Sequence, residues 1–595
     1  MEAERDRRPG WLHAITRIRP VPVDRALVIR GAIGMAVPLI VGQLAGRPLI
    51  GAAAGLGAYG AAVDDSSAPL RTRMLALVLP QIGGAIGLAL GRAVGGSAWT
   101  EILTVTLVAA CSGLLSTIGR ITSMTTLVWL LATAMGLGLP TTTPWWQNPL
   151  LFLLGGLPLM LLSLCDCLRD PHQGERAAVA VAYRVVADLL AARPATWPTA
   201  RRTVTEAMDH AHLTLLVHRL HPPRPGSTAA RLAARLDILV DVIAAAPALR
   251  DTRTRVPALY GATLRATSDA VLAKHPVAVT LLSPAATPTE PAPAAIHTAL
   301  TRLLDDGAAA AHLPPWQNPL ARLTGTLGRL AGDTRALAFA ARLAVCMGAA
   351  QTVASLTGLP HSGWLVLTVA LVIRPDLGTV PARLVLRAGG TVAGVLVGLT
   401  VLAWFPNGWT HIAVLVALTA LLQAYGRRSY AIQTLLLTPI MVLLADPLGL
   451  GGTGTPSARL WATLAGCALA FVLGYLLWPE DVHARVPQRL ARVYDTLASY
   501  AEHTASTSSS ASEGHELRRR IHRDLAAISA ELDRLRTDPR HTAHLKDWQR
   551  VLDHARDVAE NLATHAATHT PDTGPQDTTA LTTHLRERAQ RLRQT

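Results

Sequence analysis

The chain has 595 residues, half of them apolar, yet only 16% are charged and the mean hydropathy is +0.31. A soluble protein carries about 25% charged residues, so a soluble multidomain protein and a disordered one are both excluded. Five cysteines are too few for a disulfide-built secreted fold. The net charge of +15 does not mark a nucleic-acid module: residues 479–595 carry 17 basic and 17 acidic groups, whereas the apolar stretch 337–478 holds seven Arg against two Asp. The basic excess therefore reports membrane topology.

Residues 1–26 form a basic arm with Arg5, Arg7, Arg8, Arg17, Arg19 and Arg25. No small-residue cleavage site follows a short apolar core, so it does not read as a cleaved signal peptide. Six apolar runs follow at about 27–46, 48–63, 74–91, 101–119, 121–139 and 148–166, within a first membrane unit over 27–168. Spans of roughly 17–25 apolar residues cross the hydrocarbon, and Pro38, Pro80 and Pro158 inside them are tolerated in that setting. Residues 169–336 read as a cytoplasmic helical domain, where Leu232, Leu236, Leu239, Val240 and Ile243 make one apolar stripe.

A second membrane unit over 337–478 repeats the layout, with spans at about 337–357, 362–374, 384–404, 409–424, 429–446 and 459–478. Residues 479–595 read as a second cytoplasmic helical domain. There the series Leu517, Ile521, Leu525, Ile528, Leu532, Leu535 and the series Leu545, Trp548, Leu552, Ala555, Ala559, Leu562 follow helical spacing. Linkers fall at 284–294, 503–515 and 568–579.

With the N-terminus inside, the short cytoplasmic loops hold Arg71, Arg73, Arg120, Arg374, Arg383, Arg387, Arg427 and Arg428, and the external ones only Arg47, Arg92 and Arg459. Eight against three obeys the positive-inside rule, placing both termini in the cytoplasm of an inner-membrane protein. Trp99, Trp145, Trp146, Trp364, Trp409 and Trp478 fall at span ends, where an aromatic belt belongs. The halves also look duplicated: Arg25-Ala26-Leu27, Arg73 and Gly84 recur 310 residues later as Arg335-Ala336-Leu337, Arg383 and Gly394. An even number of spans gives both copies the same orientation. The expected fold is thus all-α, two parallel six-helix transmembrane repeats each followed by a cytoplasmic helical domain, assembled as a homo-oligomer or a single-chain pseudo-dimer.

Neither Lys274 nor Lys546 follows Gly, so no Walker A loop supplies energy, and no nucleophile or zinc motif is present. No enzyme activity and no cofactor is expected. Cys165-Asp166-Cys167 lacks companion metal ligands, and His565 and His569 border a linker.

The second unit contains Arg374-Pro375-Asp376-Leu377-Gly378, then Arg383, then Arg387-Ala-Gly-Gly390-Thr391-Val-Ala-Gly394. Tyr430, Leu437-Thr438-Pro439, Arg459, Thr463-Leu464, Gly466 and Trp478-Pro479 follow in order. The arrangement resembles the Arg-x-x-Gly-Thr-x-x-Gly signature of the fusaric-acid-resistance (FUSC) family, the aromatic acid exporters. The plant aluminium-activated malate transporters look similar in layout. The first unit departs from the signature, with Leu77 where Arg387 falls and Gln81 for Thr391. The resemblance implies six-span units, cytoplasmic helical domains and efflux of aromatic carboxylic acids.

The residues themselves suit an anion. Arg342 lies a turn inside the seventh span and Arg30 similarly inside the first, where an ionisable group faces a cavity or a partner. Arg383 and Arg387 share a helix face at the cytoplasmic mouth, and guanidinium matches carboxylate through two parallel hydrogen bonds. Gly390 and Gly394 permit close approach. The candidate path residues are therefore Arg30, Arg342, Arg383, Arg387, Gly390, Thr391 and Gly394. Each is also open to a plainer reading: Arg at a helix end sets topology, and Gly packs helices. No Asp or Glu falls at a midplane, which favours uniport of a small organic, aromatic carboxylate over proton antiport. The alternatives are a passive organic-anion channel and a membrane scaffold that transports nothing.

Overall fold

In a computed structural model the described residues are 23–65, 70–138, 144–193, 195–217, 226–247, 258–274, 291–302, 332–357, 363–373, 380–404, 408–445, 455–478, 482–506, 511–536, 544–568 and 575–594, with Thr324, Gly325, Gly328 and Leu330. The residues up to 22 of the basic arm, most of the 284–294 linker, Arg374, Asp376, Asp446 and His569 lie outside them. Every regular element among the described residues is helical.

The first apolar set folds as α1 (Arg25–Leu44), α2 (Pro48–Asp64), α3 (Leu70–Val94), α4 (Ala98–Ser116), α5 (Arg120–Gly138) and α6 (Gln147–Arg169). Local chemistry sets the boundaries. Asp24 caps α1 by accepting from the Ala26 and Leu27 amides at 3.0 and 3.3 Å. Gly46, at φ +63°, turns the chain out of α1, and Pro48 then opens α2. A polar stretch follows with α7 (Gln173–Leu190), α8 (Trp197–His212), α9 (Thr228–Ala245), α10 (Ala258–Ala273) and α11 (Pro291–Thr301).

The second apolar set is α12 (Thr334–Thr357), α13 (Gly363–Val372), α14 (Val380–Trp404), α15 (Trp409–Tyr425), α16 (Tyr430–Ala445) and α17 (Thr455–Leu469), the last continued by a π-helical stretch, Ala470–Leu476. Seven of these twelve are long and apolar enough to cross a membrane, and the other five are shorter apolar helices. Trp99, Trp145, Trp146, Trp404 and Trp409 at their ends are exposed, as an interfacial belt requires. The chain closes with α18 (Val482–Ala505), α19 (Ala511–Leu535), α20 (Leu545–Thr568) and α21 (Pro575–Gln594).

Two compact units emerge. One holds α1–α6 with α12–α17, and the other holds α7–α11 with most of α18–α21. In the first unit the helices pair by the same scheme in both sets. α1 packs on α2, α2 on α6, α3 on α5 and on α6, and α4 on α5. Correspondingly, α12 packs on α13, α13 on α17, α14 on α16 and on α17, and α15 on α16. The contacts between sets are reciprocal. The first helix of each set lies on the fourth helix of the other, α1 against α15 and α12 against α4, and α13 meets α5 as α2 meets α16. Small residues allow the approach: a Cβ on Gly113 would stand 2.7 Å from the Cα of Ala340, and one on Gly31 would stand 2.8 Å from the Gln423 side chain.

The second unit buries the stripes legible in the sequence. Leu232, Leu236, Leu239 and Ile243 join Tyr183, Val186 and Leu264 in one core, with the Tyr183 hydroxyl donating to the Arg235 carbonyl at 2.7 Å. Ile521, Leu525, Ile528 and Leu532, and likewise Trp548, Leu552, Ala555 and Ala559, are also buried. The two polar stretches, which the sequence offers as separate domains, share contacts here. α20 packs on α9, α11 and α18, and the Trp197 indole donates to Glu560 at 3.4 Å while Arg201 pairs with the same carboxylate at 3.2 Å. His522 sits against Arg201 at 3.4 Å, and burial beside Arg201 and Arg518 holds its imidazole well below the ordinary value.

Candidate functional site

In the first set the buried charges are matched. Arg30 on α1 donates through Nε to Asp65 Oδ2 at 3.0 Å, and Arg73 on α3 donates through Nε to Asp65 Oδ1 at 2.9 Å. Asp65, just past α2, is 1% exposed. Arg73 also reaches Ser163 Oγ at 2.9 Å and Cys167 Sγ at 3.6 Å on α6, and Arg30 pairs with Asp166 of that helix. Two guanidiniums and two carboxylates leave the cluster neutral. Cys165 is exposed and Cys167 buried, so they do not converge, and no group of three metal-binding side chains occurs among the described residues.

Deeper in α3, Leu77 is fully buried and Gln81 donates to the Gly57 carbonyl at 2.9 Å.

The second set also buries guanidiniums. Arg342 on α12 and Arg383 and Arg387 on α14 are 7%, 4% and 5% exposed, while α12 to α17 contain no Asp or Glu. Arg387 is the eighth residue of the 25-residue α14, about 10 Å along the axis, and Thr391 lies one turn deeper. Gly390 and Gly394 hold α14 against α16. A Cβ on Gly390 would fall 2.0 Å from Thr434 Oγ1, and one on Gly394 would fall 2.7 Å from the Thr438 Cβ.

Two polar atoms on that buried face stand out. Arg387 Nε and Thr391 Oγ1 are buried with no hydrogen-bond partner. A helical Thr ordinarily donates to the carbonyl four residues back, as Thr368, Thr400 and Thr438 do at 2.8 to 2.9 Å. Thr391, 1% exposed, does not. Buried polar atoms are nearly always satisfied, so this pair is where an outside ligand finds hydrogen bonds ready.

Nearer the other end of the helices, Gln351 donates to Glu101 at 3.1 Å, joining α12 to α4. His411 on α15 donates from Nε2 to the Leu443 carbonyl at 3.1 Å, one of the last carbonyls of α16 and so without a later helical amide.

The structure therefore gathers Arg383, Arg387, Gly390, Thr391 and Gly394 on one helix, with Arg342 buried on α12, and ties Arg30 into the Asp65 cluster. Asp65, Asp166 and Ser163 were missed as companions of Arg30 and Arg73. A signal existed. Arg30, Asp65 and Arg73 are spaced by 35 and 8 residues, and Arg342, Asp376 and Arg383 by 34 and 7. Asp376 lies outside the described residues.

Residues 345–473, which contain most of this second-set geometry, match the "Fusaric acid resistance protein-like" family, and residues 94–215 match the "FUSC-like inner membrane protein yccS" family. In two separate segments the chain is thus similar to FUSC-family membrane proteins. The apolar helices and these similarities support a multi-pass inner-membrane protein. It is 30% identical over 160 residues to the inner membrane protein YccS of Escherichia coli, covering 27% of this chain and 22% of that one. It is 26% identical over 205 residues to an uncharacterized protein, ORF2, of Neisseria gonorrhoeae, covering 34% and 49%. It is 27% identical over 232 residues to the uncharacterized protein YhfK of Escherichia coli, covering 38% and 33%. The alignments span less than half the length of each of these relatives. No solved structure matches the chain significantly.

Proposed function

We propose that this protein exports small organic anions, aromatic carboxylates foremost, by a secondary mechanism. The observation that carries the reading lies on α14: a guanidinium nitrogen, Arg387 Nε, and a hydroxyl, Thr391 Oγ1, both buried and without hydrogen-bond partners. A buried cation in the membrane is costly and serves a path or a partner. Arg342, Arg383 and Arg387 attract the anion, Thr391 adds a hydroxyl, and Gly390 and Gly394 set the helix spacing around it. The Arg distribution in the loops, eight against three, supports cytoplasmic termini. In that orientation an exported monoanion gains about 2.3 kcal/mol per 100 mV of interior-negative potential, so no proton need be exchanged.

The test is flux of benzoate, 4-hydroxybenzoate and malate from proteoliposomes under an imposed potassium-diffusion potential. Potential-driven efflux that ranks the acids, lost in Arg387→Gln protein of normal abundance, is the expected result. Discrete current steps in a planar bilayer would make it a channel. Absence of flux from monodisperse protein would overturn the transport reading and favour a scaffold.

A further inference from the structure

We infer that the chain holds one anion-binding site, in the second helix set, and that the first set is a charge-neutralised counterpart with no site of its own. The inference rests on the anion reading above and assigns it a place, a ligand class and a stoichiometry.

The comparison is between residues 310 apart on α3 and α14. At the level of Arg387 and Thr391 the first set has Leu77 and Gln81. Leu77 is fully buried and offers no donor, and the Gln81 amide is spent on the Gly57 carbonyl at 2.9 Å. The Gln81 oxygen beside it is without a hydrogen bond, but an acceptor repels an anion. One turn nearer the helix start, the Arg73 guanidinium is occupied by the chain's own Asp65 carboxylate at 2.9 Å, with Arg30 on the other oxygen at 3.0 Å. At these positions the first set thus offers neither a spare positive charge nor a spare donor.

The second set has both. Arg387 is 5% and Thr391 1% exposed, and Arg387 Nε and Thr391 Oγ1 lack partners. Side chains four apart on a helix face lie about 5–6 Å from each other, so a single carboxylate on the guanidinium stands within reach of the hydroxyl. Leu384 and Val395 flank the pair on the same buried face of α14, 8% and 6% exposed. One unpartnered cationic donor in apolar surroundings matches a monocarboxylate with an apolar body. A second carboxylate lying deeper on α14, against Val395 and on the far side of Arg387 from Arg383, would be buried without a counter-charge.

The test is equilibrium binding of radiolabelled benzoate to the full chain in nanodiscs, with malonate as the dicarboxylate comparison. One benzoate per chain is expected, with malonate at least tenfold weaker. Arg387→Gln should weaken benzoate at least tenfold, with partial retention in Arg387→Lys. Thr391→Val, which keeps the shape and removes the donor, should weaken it about five- to tenfold. Gln81→Leu in the first set should leave affinity within twofold. Should Arg387→Gln fail to yield monodisperse protein, Arg387→Lys and Thr391→Val carry the test. Two benzoates per chain, or a loss in Gln81→Leu equal to that in Thr391→Val, would overturn the single-site inference and leave the anion reading standing. No benzoate binding to folded wild-type protein would overturn both.

Discussion

Replacing Asp65 by Asn takes away the carboxylate that Arg30 and Arg73 share. Each Nε–carboxylate contact, at 3.0 and 2.9 Å, is worth about 5 kcal/mol at an effective dielectric of 20. Desolvation of the three ions cancels most of that gain. Removing one partner leaves the penalty in place, and breaking a buried pair costs about 3–5 kcal/mol. For a unit of this size that corresponds to a fall in melting temperature of roughly 4–7 °C. Asp166 is the internal control. It also pairs with Arg30, but its side chain is 37% exposed, so Asp166→Asn should cost about 1 kcal/mol or less. Fluorescence-detected size exclusion after a heat ramp, on full-length protein in detergent, reads both. Equal shifts for the two variants, or none for Asp65→Asn, would refute the claim that burial makes Asp65 the anchor of the first helix set.

Three further outcomes follow from the geometry. Gly390→Ala and Gly394→Ala should each lower membrane abundance and cost about 1–3 kcal/mol, because the new Cβ meets α16 at 2.0 and 2.7 Å; Gly389→Ala, with nothing within 4 Å, should be silent in the same assay. Burial brings His212 down to about 4, outweighing its contact with the Met208 carbonyl, with Arg519 and Arg523 adding to the fall. The unfolded chain, at about 6.5, therefore binds the proton first. Stability from this group is complete above pH 6.5 and is lost as the pH drops towards 4, by about 3 kcal/mol in all. Melts from pH 8 to 4.5 should show that slope, and His212→Gln should flatten it. Glu560→Gln, which strands the 8%-exposed Arg201, should destabilise the second unit by about 3–5 kcal/mol, seen as earlier proteolysis of α8 and α20. An unchanged digestion pattern would mean that the contact is not a clamp.

The membrane helices were legible because hydropathy over a span depends only on nearby residues. The run at 101–119 is the helix Ala98–Ser116, and the short eighth span is the ten-residue Gly363–Val372. What escaped is whatever depends on residues far apart in the chain. Arg30 reads as an isolated charge at a helix start, and its pairing with Asp166 bridges 136 positions. The seam Leu545 to Leu562 was plain as a stripe, but nothing in its spacing names α9 and α11 as the surfaces it covers. Thr391 was visible as part of a signature. Its failure to bond back to the Arg387 carbonyl, which sets it apart from Thr368, Thr400 and Thr438, is a property of rotamer and packing alone.

The crossed placement of α1 on α15 and α12 on α4 bears on how such a protein can change over generations. Where two identical subunits meet in this way, every substitution arrives twice, and a site discarded in one is discarded in both. Here the two sides of the contact are written at separate places in one gene. Leucine can settle at position 77 while arginine is kept at 387, each answering to its own surroundings. Two helix sets written in one chain can thus diverge residue by residue, which two copies of a single subunit cannot do.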